Sequence, residues 1–147
     1  MKEQIAMVRD FMETFGQVVR NAPPARIPHD EADLRHALAK EENDETVEEG
    51  FGFKVVEGTA IHYTFSGQEL MPMDKRAVLD GLCDQMYILL GTINAYGFGD
   101  VFKEAFDEVH ASNMSKRQLD GSVLRREDGK ILKGPNYFKP DLSKFIT

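Results

Sequence analysis

Residues 34–49, LRHALAKEENDETVEE, restrict what this chain can become more than any other stretch. Leu34, Ala37, Leu38, Glu41, Glu42 and Glu45 recur at intervals of three and four, so on a helix they form one stripe. The stripe begins apolar, as a face turned toward a core does, and becomes acidic without changing side. Glu42 and Glu45 are i,i+3 and Glu41 and Glu45 are i,i+4, which puts like charges within reach of one another. Each such pair costs an isolated helix roughly 0.2–0.5 kcal/mol, and more where water is partly excluded. A cation among them reverses the sign of that interaction. The plain alternative is a solvated acidic face.

A second acidic element follows. Residues 75–96 read as a helix capped by Asp74, with Leu79, Leu82, Cys83, Met86, Leu89, Leu90 and Ile93 around most of its circumference. Such a helix is expected to be buried, with Cys83 as core filler. Asp80 and Asp84 lie in it at i,i+4. Carboxylates are costly to desolvate alone, so two on one face of an apolar helix call for a cation or a hydrogen-bond network.

The other segments frame these two. Residues 2–19 read as a helix with Ile5, Val8, Phe11, Met12 and Phe15 on one side, ended by Pro23-Pro24. Asp30 or Asp33 caps the acidic helix. Residues 50–72 break the helical period, and their β-branched and aromatic runs around Glu57-Gly58 suggest a short hairpin. Gly97 and Gly99 close the second acidic helix, and Asp100 caps a further helix that ends near Met114. His110 and Asn113 follow one another at i,i+3 near its end, where polar side chains can face a cleft. Beyond Ser115 the helical period is lost, and Asp120-Gly121 and Asp128-Gly129 mark turns. Retained apolar residues such as Leu124, Ile131 and Phe138 suggest an ordered arm. His29, His36 and His62 have no partner at metal-ligand spacing.

Charge narrows the function. The net charge of −7 divides into 10 Lys/Arg against 21 Asp/Glu over residues 1–114, a balance of −11, and 8 against 4 over residues 115–147, a balance of +4. An acidic body argues against a nucleic-acid groove. An acidic cluster beside a basic tail suits a small ligand that carries both metal and phosphate. One cysteine in 147 residues excludes an internal disulfide framework and fits a reducing cytoplasm. No apolar run reaches the ~18 residues of a membrane span, and the start of the chain is not that of a signal peptide. The length suits one domain.

Taken together, Glu41-Glu42-x-x-Glu45 and a second helix with Asp84 three residues before Tyr87 resemble the all-α nucleoside triphosphate pyrophosphohydrolases. Leu34-Arg35, the turn at 95–98, VHASNMSK (109–116) and DGKILKGPNYFKPDL (128–142) extend the likeness to the MazG-like, phosphoribosyl-ATP-pyrophosphatase-like proteins of bacteria and phages. The resemblance covers most of the chain outside about 50–74. It implies an all-α four-helix bundle with the acidic helices antiparallel at its centre, a homodimer or homotetramer, and hydrolysis between the α and β phosphates.

In that reading Glu42, Glu45, Asp84 and Asp80 hold Mg²⁺ (Mn²⁺ as an alternative), and Glu41 is the general base or a further ligand. Lys116, Lys130 and Lys133 meet the triphosphate, and His110 and Asn113 the sugar or base. The substrate implied is a nucleoside triphosphate, by choice a deoxynucleoside triphosphate, with phosphoribosyl-ATP as the alternative. The chain departs from the family pattern at Gly81, where a glutamate is expected; Asp80, one position away, is proposed to take its role. The rival from another class is a helical protein that binds a nucleotide or metal without turnover.

Overall fold

The structure is a computed structural model that describes residues 1–52 and 73–146. Among these residues it is all-helical, with four α-helices: α1 (Lys2–Thr14), α2 (His29–Phe51), α3 (Lys75–Ala95) and α4 (Phe102–Met114). A single 3₁₀ turn, Ser143–Phe145, stands near the end of the arm. The hairpin expected over 50–72 falls mainly outside the described residues; within them, α2 continues through Gly50 and Phe51 and stops at Gly52. No helix among the described residues is long and apolar enough to cross a membrane.

Helix α3 packs against both α2 and α1. The core joins Ile5, Val8 and Met12 of α1 to Leu90, Ile93 and Ala95 of α3, with Val19, Phe98 and Phe102 packed on its rim. The apolar period of α1 therefore does what it should. The helix is nonetheless shorter than the periodicity suggests: it ends at Thr14, and Gly16 turns the chain at φ +68°, well before the prolines. Val18 and Val19 belong to the connector. The cap of α3 is the expected one, since the Asp74 carboxylate accepts from the backbone N–H of Arg76 and Ala77. The caps of α2 and α4 are not, for Pro28 and Val101 stand there and give no side-chain bond.

Arg20 locks three segments together. Its guanidinium donates to both carboxylate oxygens of Glu31, at 2.6 and 2.8 Å, and to the Ala95 carbonyl at 2.5 Å. The Arg20 partner holds the Glu31 carboxyl below its usual range. A depressed carboxyl contributes stability above its unfolded value, here 4.5, and loses it as pH falls through the lower folded value. Glu31→Gln is thus expected to lower Tm clearly at neutral pH, and by progressively less as pH falls below 4.5 through the lower folded value. Parallel thermal melts of the two proteins across that range check it.

Helix α3 is less covered than its composition led us to expect. Leu79 (65% exposed), Leu82, Met86 and Leu89 face outward, and Cys83 is exposed rather than core. The physical reason is that α1 and α2 occupy only two sides of α3 and leave an apolar face bare. Helix α4 likewise keeps Phe106 and Met114 exposed and is tied to α1 by the Lys2–Glu104 pair.

The arm is ordered against α4. Ser112 Oγ donates to the Phe138 carbonyl at 2.8 Å, and the Asp141 N–H and the Lys144 ammonium both reach the Glu108 carboxylate. Both Asp-Gly turns form as read, with Gly121 and Gly129 at φ +82° and +83°.

Candidate active site

Glu42 of α2 and Asp84 of α3 come within electrostatic reach of one another where the two helices pack closely. That approach is made by glycine. A Cβ on Gly50 of α2 would lie 2.5 Å from Val78 Cγ2, and one on Gly81 of α3 only 2.2 Å from Thr46 Oγ1. Buried Thr46 donates its hydroxyl to the Glu42 carbonyl at 2.7 Å, and Gln85 Nε2 donates to the same hydroxyl at 2.7 Å. This bonded chain fixes α2 on α3 at the level of Glu42 and Asp84. Neither Thr46 nor Gln85 stood out in the sequence as part of the site. A polar pair interrupting two helical faces was the available signal.

Glu42 is half-buried. Burial pushes its carboxyl above the usual range, and the charges of Asp84, Glu45 and Glu41 push it further. The structure therefore brings the charge of Asp84 of α3 to bear on Glu42 of α2. Asp80 lies one turn earlier on α3. It and Asp84 are both solvent-exposed and not enclosed as the apolar surroundings implied, because the bare face of α3 adjoins them. The expected glutamate slot at Gly81 has no room for a side chain of any size, for Thr46 fills it.

The carboxylates suit a hard divalent cation in their chemistry: oxygen donors, crowded like charges and partial exposure to water. As the side chains stand, no three His, Cys, Asp or Glu groups among the described residues are gathered closely enough to hold an ion.

The cationic residues are placed separately. Lys116 donates to Asn113 Oδ1 at 2.7 Å at the end of α4, and His110 is exposed one turn earlier. Lys133 lies over the Tyr137 ring, 4.2 Å from its centroid, and Lys130 is exposed beside the Asp128-Gly129 turn. These five residues belong to α4 and the arm, whereas Glu41, Glu42, Glu45, Asp80 and Asp84 belong to α2 and α3.

The class follows from the family profile the chain matches: a MazG-like pyrophosphohydrolase, a hydrolase of phosphoric anhydrides. Residues 8–113 match the family profile of phosphoribosyl-ATP pyrophosphohydrolase, and the chain belongs to that family. None of the curated proteins matches the chain. The matched span contains α2 and α3 entire and stops just before the arm.

Proposed function

We propose that the protein hydrolyses a nucleoside triphosphate between its α and β phosphates, giving the monophosphate and pyrophosphate. The observation that carries this reading is that Asp84 of α3 acts on half-buried Glu42, flanked by Glu41 and Glu45, across the tight α2–α3 contact. Glu42, Glu45 and Asp84, with Asp80 from the next turn, would hold Mg²⁺. When bound, the ion supplies Lewis acidity at the phosphate and orders the attacking water. Glu41 takes a proton from that water. The half-buried Glu42 carboxylate is stabilised by any cation it meets, which couples metal binding to its ionisation.

Lys116, Lys130 and Lys133 neutralise the phosphates and the departing pyrophosphate, and His110 and Asn113 contact sugar or base. A deoxynucleoside triphosphate is the proposed substrate. The family profile favours phosphoribosyl-ATP as the second reading. A panel of deoxynucleoside triphosphates and phosphoribosyl-ATP, each assayed for pyrophosphate release with Mg²⁺, decides between them by kcat/KM. Binding across the panel with no release would point to the non-catalytic alternative.

We further infer a homodimer, or a pair of dimers, formed on the bare α3 face around Leu79, Leu82, Met86 and Leu89. Exposed apolar stripes of this size mark association surfaces. Sedimentation at micromolar concentration should give a dimer or larger, and a monomer contradicts the inference. Deletion of the arm after Met114 should raise KM and lower kcat, together reducing kcat/KM by about tenfold or more through lost charge-assisted contacts. The core residues of α1 and α3 all precede the cut, so the truncated chain should still melt cooperatively. Steady-state kinetics of the truncated protein check this. Unchanged kinetics would remove Lys116, Lys130 and Lys133 from the site.

A further inference from the structure

The arm carries a lobe that none of the described residues covers. Every residue from 119 to 133 is exposed, Leu119 to 77%, and Val123, Leu124, Ile131 and Leu132 are apolar. The lobe is ordered by its own bonds. The Arg126 N–H donates to the Lys130 carbonyl and the Leu132 N–H to the Leu124 carbonyl, each at 2.9 Å. Its base is fixed on α4: Ser112 and Ser115 bond the Phe138 backbone, and a Cβ on Gly134 would lie 2.2 Å from the Arg117 carbonyl oxygen. A preformed hairpin with bare apolar side chains marks an association surface.

A second bare surface lies on the helices. A groove of about 270 Å³ between α1 and α3 is lined mainly by apolar side chains, among them Met7, Val8, Leu82, Cys83, Met86 and Tyr87. Asp80 and Asp84 stand exposed on the same stretch of α3. Together with Glu41, Glu42 and Glu45 they form no ion pair with Lys or Arg among the described residues. Lys130 and Lys133 have no carboxylate partner there either. The charges that act on Glu42 are all carboxylates. The body at −11 and the arm at +4 thus hold opposite charges unmatched within one chain, each beside an apolar surface.

We infer that the 119–133 lobe of one copy covers the α1–α3 groove of a second copy, bringing Lys130 and Lys133 to that copy's carboxylates. Apolar side chains meet apolar side chains, and the basic arm lands beside acidic α3. The exchange is reciprocal: each copy gives one lobe and receives one, so the pair closes as a two-fold dimer. Each active site is then complete only with the arm of the other copy. The role of the two lysines rests on the hydrolysis proposed above, whereas the docking does not.

Cys83 lines the groove and is the chain's one cysteine, which makes the contact testable without turnover. Leu119→Cys, Leu124→Cys and Leu132→Cys, each treated with a bismaleimide, should give a covalent dimer at one or more positions. Adding Cys83→Ser should abolish it. Monomer at all three positions, or a dimer that survives Cys83→Ser, overturns the inference. Activity supplies the second measurement. Glu45→Gln and the double variant Lys130→Ala/Lys133→Ala, each low in activity alone, are co-expressed with different tags and purified as the mixed dimer. One of its two sites has an intact carboxylate set together with an intact lobe, so the mixed dimer should regain about half the wild-type activity. No recovery above the parents overturns delivery of the lysines between copies. Cross-linking as expected, with no pyrophosphate release from the wild type, supports the docking and counts against the hydrolysis alone.

Discussion

Glu45→Gln is expected to abolish measurable pyrophosphate release while the protein melts at the wild-type temperature or slightly above it. Glu45 is exposed on α2, its charge bears on half-buried Glu42, and Glu41 and Asp84 crowd the same carboxyl. Removing one of four neighbouring negative charges relieves repulsion in the metal-free fold, worth a few tenths of a kcal/mol at such positions. On the proposed metal assignment the same change removes a hard anionic ligand that the amide oxygen replaces poorly. Ligands to a catalytic cation contribute several kcal/mol to the transition state, so the loss in kcat/KM should be on the order of 10³-fold. The opposed signs make the variant informative. Near-normal activity at saturating Mg²⁺ would withdraw Glu45 from the metal set.

Gly81→Ala is expected to destabilise the fold by about 3 kcal/mol, although alanine is the better helix former by about 1 kcal/mol. The added methyl would stand 2.2 Å from Thr46 Oγ1 and 2.9 Å from Thr46 Cβ, atoms too close to the backbone to swing away. The clash pushes α2 from α3, breaks the Gln85–Thr46–Glu42 chain and separates Glu42 from Asp84. Both Tm and activity should therefore fall. Adding Thr46→Gly should recover much of the stability lost to the methyl, a coupling that a double-mutant cycle by chemical denaturation measures. A simple rise in Tm for Gly81→Ala, as at an open helical glycine, would show that the two helices are not held this closely.

The apolar start of the 34–49 stripe is not a buried face: Leu34 and Ala37 are exposed, and the buried residues of α2 are Arg35, Thr46 and Gly50. The helix itself was legible because helical periodicity is a local property. The same holds for the Asp74 cap and the Asp-Gly turns, where one side chain or one positive φ decides the geometry. Burial was read less well. The apolar run of α3 looked like an enclosed helix, but Leu79, Leu82 and Cys83 are exposed in the single chain, since periodicity cannot say which apolar face another copy or element will cover. The Gly81 slot was visible as a departure from the family pattern, whereas its cause, Thr46 packed against it from a helix 35 positions away, is a tertiary fact. Arg35 was noticed only as part of a motif. Its burial and its orphaned Nε arise from the Gly91 gap and the Arg20–Glu31 pair, none of which a linear pattern reveals.

The central claim is hydrolysis at the α–β anhydride by the α2–α3 carboxylates. Phosphorus NMR of a reaction containing the full chain, Mg²⁺ and a deoxynucleoside triphosphate or phosphoribosyl-ATP tests it most directly. The account predicts equimolar monophosphate and pyrophosphate with no orthophosphate, no reaction after chelation of the metal, and none with Glu45→Gln. Orthophosphate with a nucleoside diphosphate, or intact substrate bound to the wild type throughout, would contradict it.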